Sequence, residues 1–260
     1  MDDKEVKKYW DQNAENWSKL VRMGYDITRI YLNNPRFFNI LPDISGLTGL
    51  DVGCGEGYNT RIFAQKGAIM TGIDISEELI NEAKNYEVRE PLNIEYKASS
   101  ALDIPFKDNS FNFVVSTMAL MDMANIKKPM IEIYRVLKKG GFFQFSILHP
   151  CFSSTYNEWT YDKMGKKVGM VCKGYFDEDH EFVEEWIFGD APRSLTDKMK
   201  KFLVPRFQRT LSTWVNTIIN SGFQIKKFHE PHVSKEAIEK HPSLYDCNII
   251  AQSLIIRCKK

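Results

Sequence analysis

Three glycines at alternate positions, Gly53, Gly55 and Gly57, follow Asp51 at the end of a short apolar run. The next residues, 60–66, have a helix-compatible composition, so the glycines lie where a buried strand turns into a helix. Glycine lets a ligand approach the main chain closely, and the first turn of a helix presents unpaired N–H groups. A tight turn alone needs fewer glycines. The pattern therefore predicts a ligand-binding loop.

The spacing of the glycines narrows the choice of ligand. A dinucleotide-binding loop requires a third glycine three residues after the second, where a pyrophosphate rests on the helix N-terminus. Tyr58 occupies that position, and the third glycine comes one residue earlier, at Gly57. A ligand without a pyrophosphate fits this loop better.

The pattern acidic residue, x, Gly, x, Gly, x, Gly resembles the first motif of class I S-adenosylmethionine-dependent methyltransferases of the small-molecule type, similar to methyltransferase domains 11 and 25. The resemblance implies S-adenosyl-L-methionine as cofactor and S-adenosyl-L-homocysteine as product. It also implies that the loop surrounds the amino-acid end of the cofactor, with Asp51 near the ammonium group. The loop residues concerned are Asp51, Gly53, Cys54, Gly55 and Gly57.

A second acidic residue, Asp74, ends the apolar stretch 68–74, which predicts the second strand. A carboxylate at this strand tip can accept hydrogen bonds from both ribose hydroxyls. The alternative role, capping the next helix, suits Ser76 better. The resemblance places Ile75 against the adenine.

The third strand, 93–97, is followed by Ser100, Ala101 and Leu102. In the family this position usually holds an acid that binds the adenine amino group, and here it is Ser100. A serine hydroxyl and the amides of Ala101 and Leu102 can still form hydrogen bonds. Asp103 is an alternative adenine anchor, or it starts a turn.

The apolar run 111–116 predicts a doubly covered parallel strand, although Asn112 stands where the family usually has Asp. The resemblance implies that Thr117 and Met118, just past its end, contact the adenosine and sulfonium. Ordinary core packing is an equal alternative for methionine. A helix over 125–137, ended by 138–141, and a fifth strand over 142–148 follow.

The segment 1–45 has apolar residues at helical spacing. Such a segment commonly packs on a sheet as an amphipathic cover. The resemblance implies a lid over cofactor and substrate. The candidate lid residues are Tyr9, Trp10, Asn13, Trp17, Arg22 and Tyr25, of which we select Tyr9, Trp10 and Tyr25 as substrate contacts.

The segment 149–206 loses periodicity and is rich in aromatic residues. A long insertion in a compact domain usually binds something or contains its own strands. We expect a substrate cap, with Tyr156, Trp159 and Trp186 as contacts, and a surface elaboration is the alternative. His149, after the fifth strand, is the candidate general base for an amine, phenol or alcohol acceptor, because its usual pKa is near neutrality.

The order of elements predicts one α/β domain over residues 1–260. Strands and helices alternate through the cofactor-binding core, 46–148. A helix and two strands, predicted over 223–228 and 248–256, close the chain over 207–260. This order predicts a three-layer, Rossmann-like, seven-stranded, mostly parallel sheet with an antiparallel edge strand.

The charge balance and the cysteine pattern limit the kinds of molecule that this protein is expected to bind. The chain has 35 Lys and Arg against 34 Asp and Glu, a net charge of +1, so we expect no nucleic-acid or membrane partner. The five cysteines show no metal-ligand spacing, so we expect no metal.

The charged start of the chain is unlike a signal peptide, so a cytoplasmic location is expected. The oligomeric state is expected to be monomer or homodimer.

The resemblance implies methyl transfer by in-line displacement, and the balanced charge favours a small-molecule acceptor, methylated at oxygen, nitrogen or carboxylate. A carboxylate acceptor would need no base. Two alternatives remain open from the residues alone. One is a non-catalytic cofactor-binding or interaction module, and the other is a nicotinamide-dependent oxidoreductase, which the glycine spacing disfavours.

Overall fold

The computed structural model describes all 260 residues. The helices are α1 (Asp3–Arg22), α2 (Asn34–Asn39), α3 (Tyr58–Gln65), α4 (Glu77–Arg89), α5 (Lys127–Val136), α6 (Arg193–Thr196), α7 (Leu211–Asn220) and α8 (Lys235–Lys240). The strands are β1 (Thr48–Val52), β2 (Ile69–Asp74), β3 (Glu95–Ala98), β4 (Phe111–Thr117), β5 (Leu137–Leu148), β6 (Glu158–Tyr161), β7 (Lys167–Val171), β8 (Glu181–Trp186), β9 (Phe202–Phe207), β10 (Gln224–His229) and β11 (Ser253–Lys259). None of the helices combines the length and the apolar character needed to cross a membrane.

The main sheet contains seven strands in the order β10, β11, β5, β4, β1, β2, β3. The pairs β1–β2, β1–β4, β2–β3 and β4–β5 are parallel. β11 runs antiparallel between β5 and β10, one position in from the edge. The predicted seven-stranded, mostly parallel sheet with antiparallel pairing at one edge is confirmed, and the antiparallel strand is the second from that edge.

Helices cover both faces of this sheet, so the predicted three layers are present. On one face, Ile133 of α5 and Trp214 of α7 pack in a cluster with Val114 of β4. On the other face, Phe63 of α3 packs in a cluster with Phe113. Neighbouring residues of β4 thus enter opposite cores, which explains why this strand is apolar at nearly every position.

The N-terminal segment begins with the amphipathic helix α1. Asp2 caps it by accepting N–H bonds from Lys4 and Glu5, and the Glu5 carboxylate accepts the Asp2 N–H in return. Such a capping box satisfies otherwise unpaired N–H groups. A wide π-helical turn over Arg29–Asn33 then leads into α2.

The aromatic insertion contains two antiparallel hairpins, β6–β7 and β8–β9. β9 packs against α1, where Leu20 and Val21 share an apolar cluster with Phe188 and Phe202. The side chain of Asn13 also pairs with the backbone of Leu203, donating to its carbonyl (2.8 Å) and accepting from its N–H (2.9 Å). The N-terminal helix and the insertion therefore form one continuous cover.

Two predicted boundaries need correction. α5 ends at Val136, and the residues expected to end it belong to β5, which starts at Leu137. Within β5, Gly140 donates its N–H to the carbonyl of Lys260, and Lys260 donates its N–H to the carbonyl of Gly141. The last strand begins at Ser253 rather than at residue 248, because the preceding residues form a 3₁₀ helix. The first difference arises from a pairing partner that is remote in sequence, and the second from a local helical turn.

Candidate cofactor and acceptor site

The glycine loop lies between β1 and α3, at the carboxyl edge of the parallel strands. Gly55 has a φ of +56°, and an added Cβ there would meet no atom within 4 Å. Its N–H donates to the Asp74 carboxylate at 2.9 Å. The loop therefore turns an open face toward a cavity, which Gly53, Cys54 and Gly55 line. We call this cavity the first cavity.

Asp74 ends β2 directly beside this loop and lines the first cavity. Its carboxylate accepts the N–H groups of Gly55 and Ser76, each at 2.9 Å, and the residue is only 9% exposed. Burial raises the pKa of Asp74 to about 6, against the opposing effect of the two N–H groups. The N–H of Ser76 and the Ser76 hydroxyl, which caps α4, hold the strand tip in place.

Asp51 is fully buried behind the loop and does not line the first cavity. One carboxylate oxygen accepts from the Thr60 hydroxyl at 2.6 Å, and the other has no hydrogen-bond partner. Burial above all, with the nearby Asp74 and Glu56, raises the pKa of Asp51 to about 7, against the opposing effect of the Thr60 hydroxyl. Several carboxylates thus meet behind and along this cavity, which favours a cationic ligand. S-adenosylmethionine, with its sulfonium and ammonium groups, fits this chemistry.

Gly57 serves packing and does not line either cavity. Its φ is +83°, and an added Cβ would lie 2.5 Å from the Tyr96 hydroxyl oxygen. This corrects the expectation that all three glycines face the ligand. The third glycine is needed because the start of α3 lies against Tyr96 of β3, which leaves no room for a side chain.

Ser100, Ala101 and Leu102 all line the first cavity, as does Ile75. The Ser100 hydroxyl donates to the carboxylate of Asp3 at 2.7 Å, and Asp3 lines the same cavity. Helix α1 thus supplies an acidic group beside the position at which the family usually has one. The alternative anchor, Asp103, is exposed and lines neither cavity.

Thr117 and Met118, at the end of β4, line both the first cavity and a second cavity beside it. The Thr117 hydroxyl accepts from Asn59 Nδ2 at 2.8 Å. Met118 has a φ of +53°, an uncommon conformation for a residue other than glycine. Such local strain typically occurs at functional sites.

Trp17 connects the N-terminal helix to this site. Its ring N–H donates to Glu56 at 3.1 Å, and its ring packs edge-on against Trp10 at 5.2 Å and Trp186 at 5.8 Å. Trp10 and Trp17 line both cavities. Helix α1 is therefore placed over the site, as the lid hypothesis requires.

The second cavity lies under the cover formed by α1 and the insertion. Its wall combines apolar and polar side chains from segments that are far apart in the sequence. The lining residues are Trp10, Trp17, Asp26, Thr28, Arg29, Leu32, Asn33, Asn59, Thr117, Met118, Met121, Asp122, Leu148, Trp186, Val204, Arg206, Gln252 and Ser253.

Of the expected substrate contacts, the structure brings Trp10 and Trp186 to this cavity. The other four line neither cavity. Tyr25 packs at the edge of the apolar cluster between α1 and β9, Tyr156 packs on His180 with 44% exposure, and Trp159 lies under the Lys167 ammonium. The four residues are Tyr9, Tyr25, Tyr156 and Trp159.

His149, the candidate general base, lines neither cavity, so its expected role is not supported by its position. The residue is buried, and both of its ring nitrogens are engaged. Nδ1 accepts the N–H of Cys151 at 3.2 Å, which leaves the proton on Nε2 facing Glu230 Oε1 at 2.8 Å. This arrangement holds the chain where it leaves β5 and offers no free nitrogen to an acceptor.

Two arginines at the cavities were not identified from the sequence. Arg29 pairs with Asp26 at 3.0 Å and with Glu56 at 2.9 Å. Arg206 pairs with Asp122 at 2.6 Å. Of these residues, only Glu56 could have been identified from the sequence, because it lies inside the glycine motif. No cluster of three or more His, Cys, Asp or Glu side chains is arranged to hold a metal ion.

Comparison with known proteins agrees with this arrangement. A family model described as a methyltransferase domain matches residues 50–145. A Tropheryma whipplei protein named demethylmenaquinone methyltransferase is 34% identical over 181 residues, which cover 64% of this chain and 74% of that protein. A Coxiella burnetii protein named ubiquinone biosynthesis O-methyltransferase is 30% identical over 158 residues, covering 59% of this chain and 65% of that protein. The match thus spans less than two thirds of the Coxiella protein.

The fold also matches a solved structure. A crystal structure described as an S-adenosylmethionine-dependent methyltransferase from Mesorhizobium loti superposes with a TM-score of 0.70 at 23% identity, covering 87% of this chain and 96% of that one. At this identity the likeness shows a shared fold. Taken with the family model and the Tropheryma relative, it means that this chain belongs to the class I S-adenosylmethionine-dependent methyltransferase family.

Proposed function

We propose that this protein transfers a methyl group from S-adenosylmethionine to a small-molecule acceptor bound in the second cavity. The observation that carries the proposal is that the two cavities share one wall. A ligand in the first cavity and a molecule in the second would face each other across it. The shared residues are Trp10, Trp17, Arg29, Asn59, Thr117, Met118 and Asp122.

The cofactor supplies a methyl group on a positively charged sulfur, which leaves as a neutral thioether when the methyl is transferred. The protein then has to align the acceptor and keep water out. Trp10 and Trp17 of α1 line both cavities, as do Thr117 and Met118 at the end of β4. Arg29 is tied to Glu56 of the glycine loop, so it connects the lid segment to the cofactor side.

Asp122 is the group we assign to proton acceptance in place of His149. It lines both cavities and is only 4% exposed. One carboxylate oxygen accepts from Arg206 Nη1 at 2.6 Å, and the other makes no hydrogen bond. Burial raises the pKa of Asp122 to about 6, against the opposing effect of Arg206. A carboxylate with that pKa is ionised near neutral pH and suited to accept the proton of an acceptor hydroxyl.

Two further observations support a small acceptor. The net charge of +1 provides no general attraction for nucleic acid, whose phosphates call for clustered Lys and Arg. The Coxiella relative is named for ubiquinone biosynthesis and the Tropheryma relative for demethylmenaquinone, and both names support a small-molecule acceptor related to quinones.

The test starts with cofactor binding. S-adenosylhomocysteine at 100 times its dissociation constant should stabilise the folded protein by about 2.7 kcal/mol, whereas NAD should not. Incubation with S-adenosylmethionine and a panel of phenols, amines and carboxylic acids should then give a methylated product by mass spectrometry. Stabilisation by NAD alone would contradict the proposal. Cofactor binding with no product from any acceptor would favour a non-catalytic module.

A further inference from the structure

Three side chains at the second cavity carry polar atoms without hydrogen-bond partners. Both amide atoms of Asn33, the ring N–H of Trp186 and the hydroxyl of Ser253 have no hydrogen-bond partner in the protein and almost no accessible surface. Asn33 is 3% exposed and Ser253 is 2% exposed. A buried polar atom without a partner costs free energy, so such atoms are usually satisfied by a partner or a bound molecule.

These three residues come from separate parts of the fold and meet only at this cavity. Asn33 lies in the wide turn after α1, Trp186 ends β8 of the insertion, and Ser253 starts β11. Together they offer donors from all three side chains and acceptors from the Asn33 carbonyl and the Ser253 hydroxyl. This combination matches a ligand with oxygen atoms that can both accept and donate.

The charges of the cavity exclude an anion as the preferred ligand. Both arginines in its wall are already paired: Arg29 with two carboxylates, and Arg206 with Asp122 and with Glu184 at 2.9 Å. Arg209, which has no carboxylate partner, lines a smaller neighbouring cavity instead. A protonated amine fits no better, because the Trp186 N–H can only donate and needs a lone pair opposite it.

We infer that the acceptor is a neutral molecule with hydroxyl or carbonyl groups on a compact apolar body, recognised by Asn33, Trp186 and Ser253. The inference rests on the proposed function, since it concerns the acceptor of the same reaction. It separates hydroxyl acceptors from the carboxylate and amine acceptors that the sequence left open. Asp122 lies in the same wall, where it can take the proton of such a hydroxyl.

The test uses three probes of similar size: resorcinol, benzoate and benzylamine. Each is titrated by ligand-observed NMR into the full-length protein, with and without saturating S-adenosylhomocysteine. Resorcinol should bind most tightly of the three. Tighter binding of benzoate would show that a cation such as Arg209 selects the acceptor, and tighter binding of benzylamine would show that the carboxylates do. Either result overturns the inference, as does the absence of resorcinol binding to cofactor-loaded protein.

Variants connect the binding to the named atoms. Trp186→Phe removes the N–H and keeps an aromatic ring, and Ser253→Ala removes one hydroxyl. Each should weaken resorcinol binding by about two- to tenfold, the effect of one neutral hydrogen bond. Trp159→Phe is the matched control, because Trp159 lies in the same insertion and lines neither cavity. Unchanged affinity in both variants refutes the assignment.

The affinity for S-adenosylhomocysteine is measured in every variant and should stay at the wild-type value. If S-adenosylhomocysteine fails to bind the wild-type protein, the proposed function fails, and the titrations without it still decide the chemistry of the second cavity. If S-adenosylhomocysteine binds and the order of the probes is wrong, only the acceptor inference fails.

Discussion

Replacing Asp74 by asparagine should change the pH dependence of stability and should weaken cofactor binding. A carboxyl whose pKa lies at about 6 instead of 3.8 costs the folded state about 3 kcal/mol when ionised, at about 1.4 kcal/mol for each pH unit between the two values. The asparagine side chain would carry no charge, but its single oxygen could accept only one of the N–H groups of Gly55 and Ser76, which bond to different oxygens of Asp74. At pH 7.5 the variant should therefore gain up to about 3 kcal/mol from the missing charge and lose about 1 to 3 kcal/mol from the N–H left without an acceptor.

The pH dependence of this difference follows from proton binding. Between pH 3.8 and about 6 the folded protein holds a proton on Asp74 that the unfolded chain has released. The contribution of Asp74 to the free energy of unfolding therefore falls as the pH rises through this range. The asparagine variant lacks this contribution, so its stability relative to wild type should rise by about 2 kcal/mol between pH 4.5 and 7.5. Because Asp74 also raises the pKa of Asp51, its removal should add stability in the same direction.

The affinity for the cofactor should decrease in the same variant. Losing a hydrogen bond to a charged group costs about 1.5 to 3 kcal/mol, so S-adenosylhomocysteine should bind Asp74→Asn at least about tenfold more weakly. Urea unfolding, followed by tryptophan fluorescence from pH 4.5 to 7.5, measures stability, and calorimetric titration measures affinity. Asp103→Asn is the control, since that carboxylate is exposed. Parallel stability profiles for wild type and Asp74→Asn would refute the charge assignment, and unchanged affinity would remove Asp74 from the cofactor site.

Three further substitutions test other parts of the site. Gly55→Val should abolish S-adenosylhomocysteine binding, because its side chain would enter open space at the cavity from a backbone with positive φ; calorimetric binding by a folded variant would show that the loop does not hold the ligand. Asp122→Asn should remove the rise of kcat/KM with pH near 6, because the base must be ionised to accept a proton; a retained rise would assign it to another group. His149→Gln should lower the melting temperature while preserving S-adenosylhomocysteine affinity and the pH profile of kcat/KM, and loss of the profile's rise in that variant would return the base role to His149.

Much of the cofactor side could be predicted from the sequence because its parts are local. The conformation of Gly55 and the position of Asp74 depend on a strand, a tight turn and a helix that follow one another directly. The alternation of strands and helices likewise determined the parallel sheet. Parallel strands bring their carboxyl ends to one edge, so residues at those ends meet without further information.

The roles of single residues inside these motifs needed the tertiary structure. Asp51 and Gly57 match the family pattern, but one is fully buried behind the loop and the other accommodates Tyr96. His149 has a residue type suited to catalysis, but its ring is bound by Cys151 and Glu230. Residue type indicates what a side chain can do, and only packing decides which groups it faces.

The acceptor side could not be derived from sequence pattern, because its contacts join distant segments. Ser100 meets Asp3 across 97 positions, and Arg206 meets Asp122 across 84. Asn33, Trp186 and Ser253 share no motif and line one cavity only because the turn after α1, the insertion and β11 pack together. Local backbone preferences determined the cofactor loop of this protein, whereas long-range packing of the cover on the sheet decided the chemistry of the acceptor cavity.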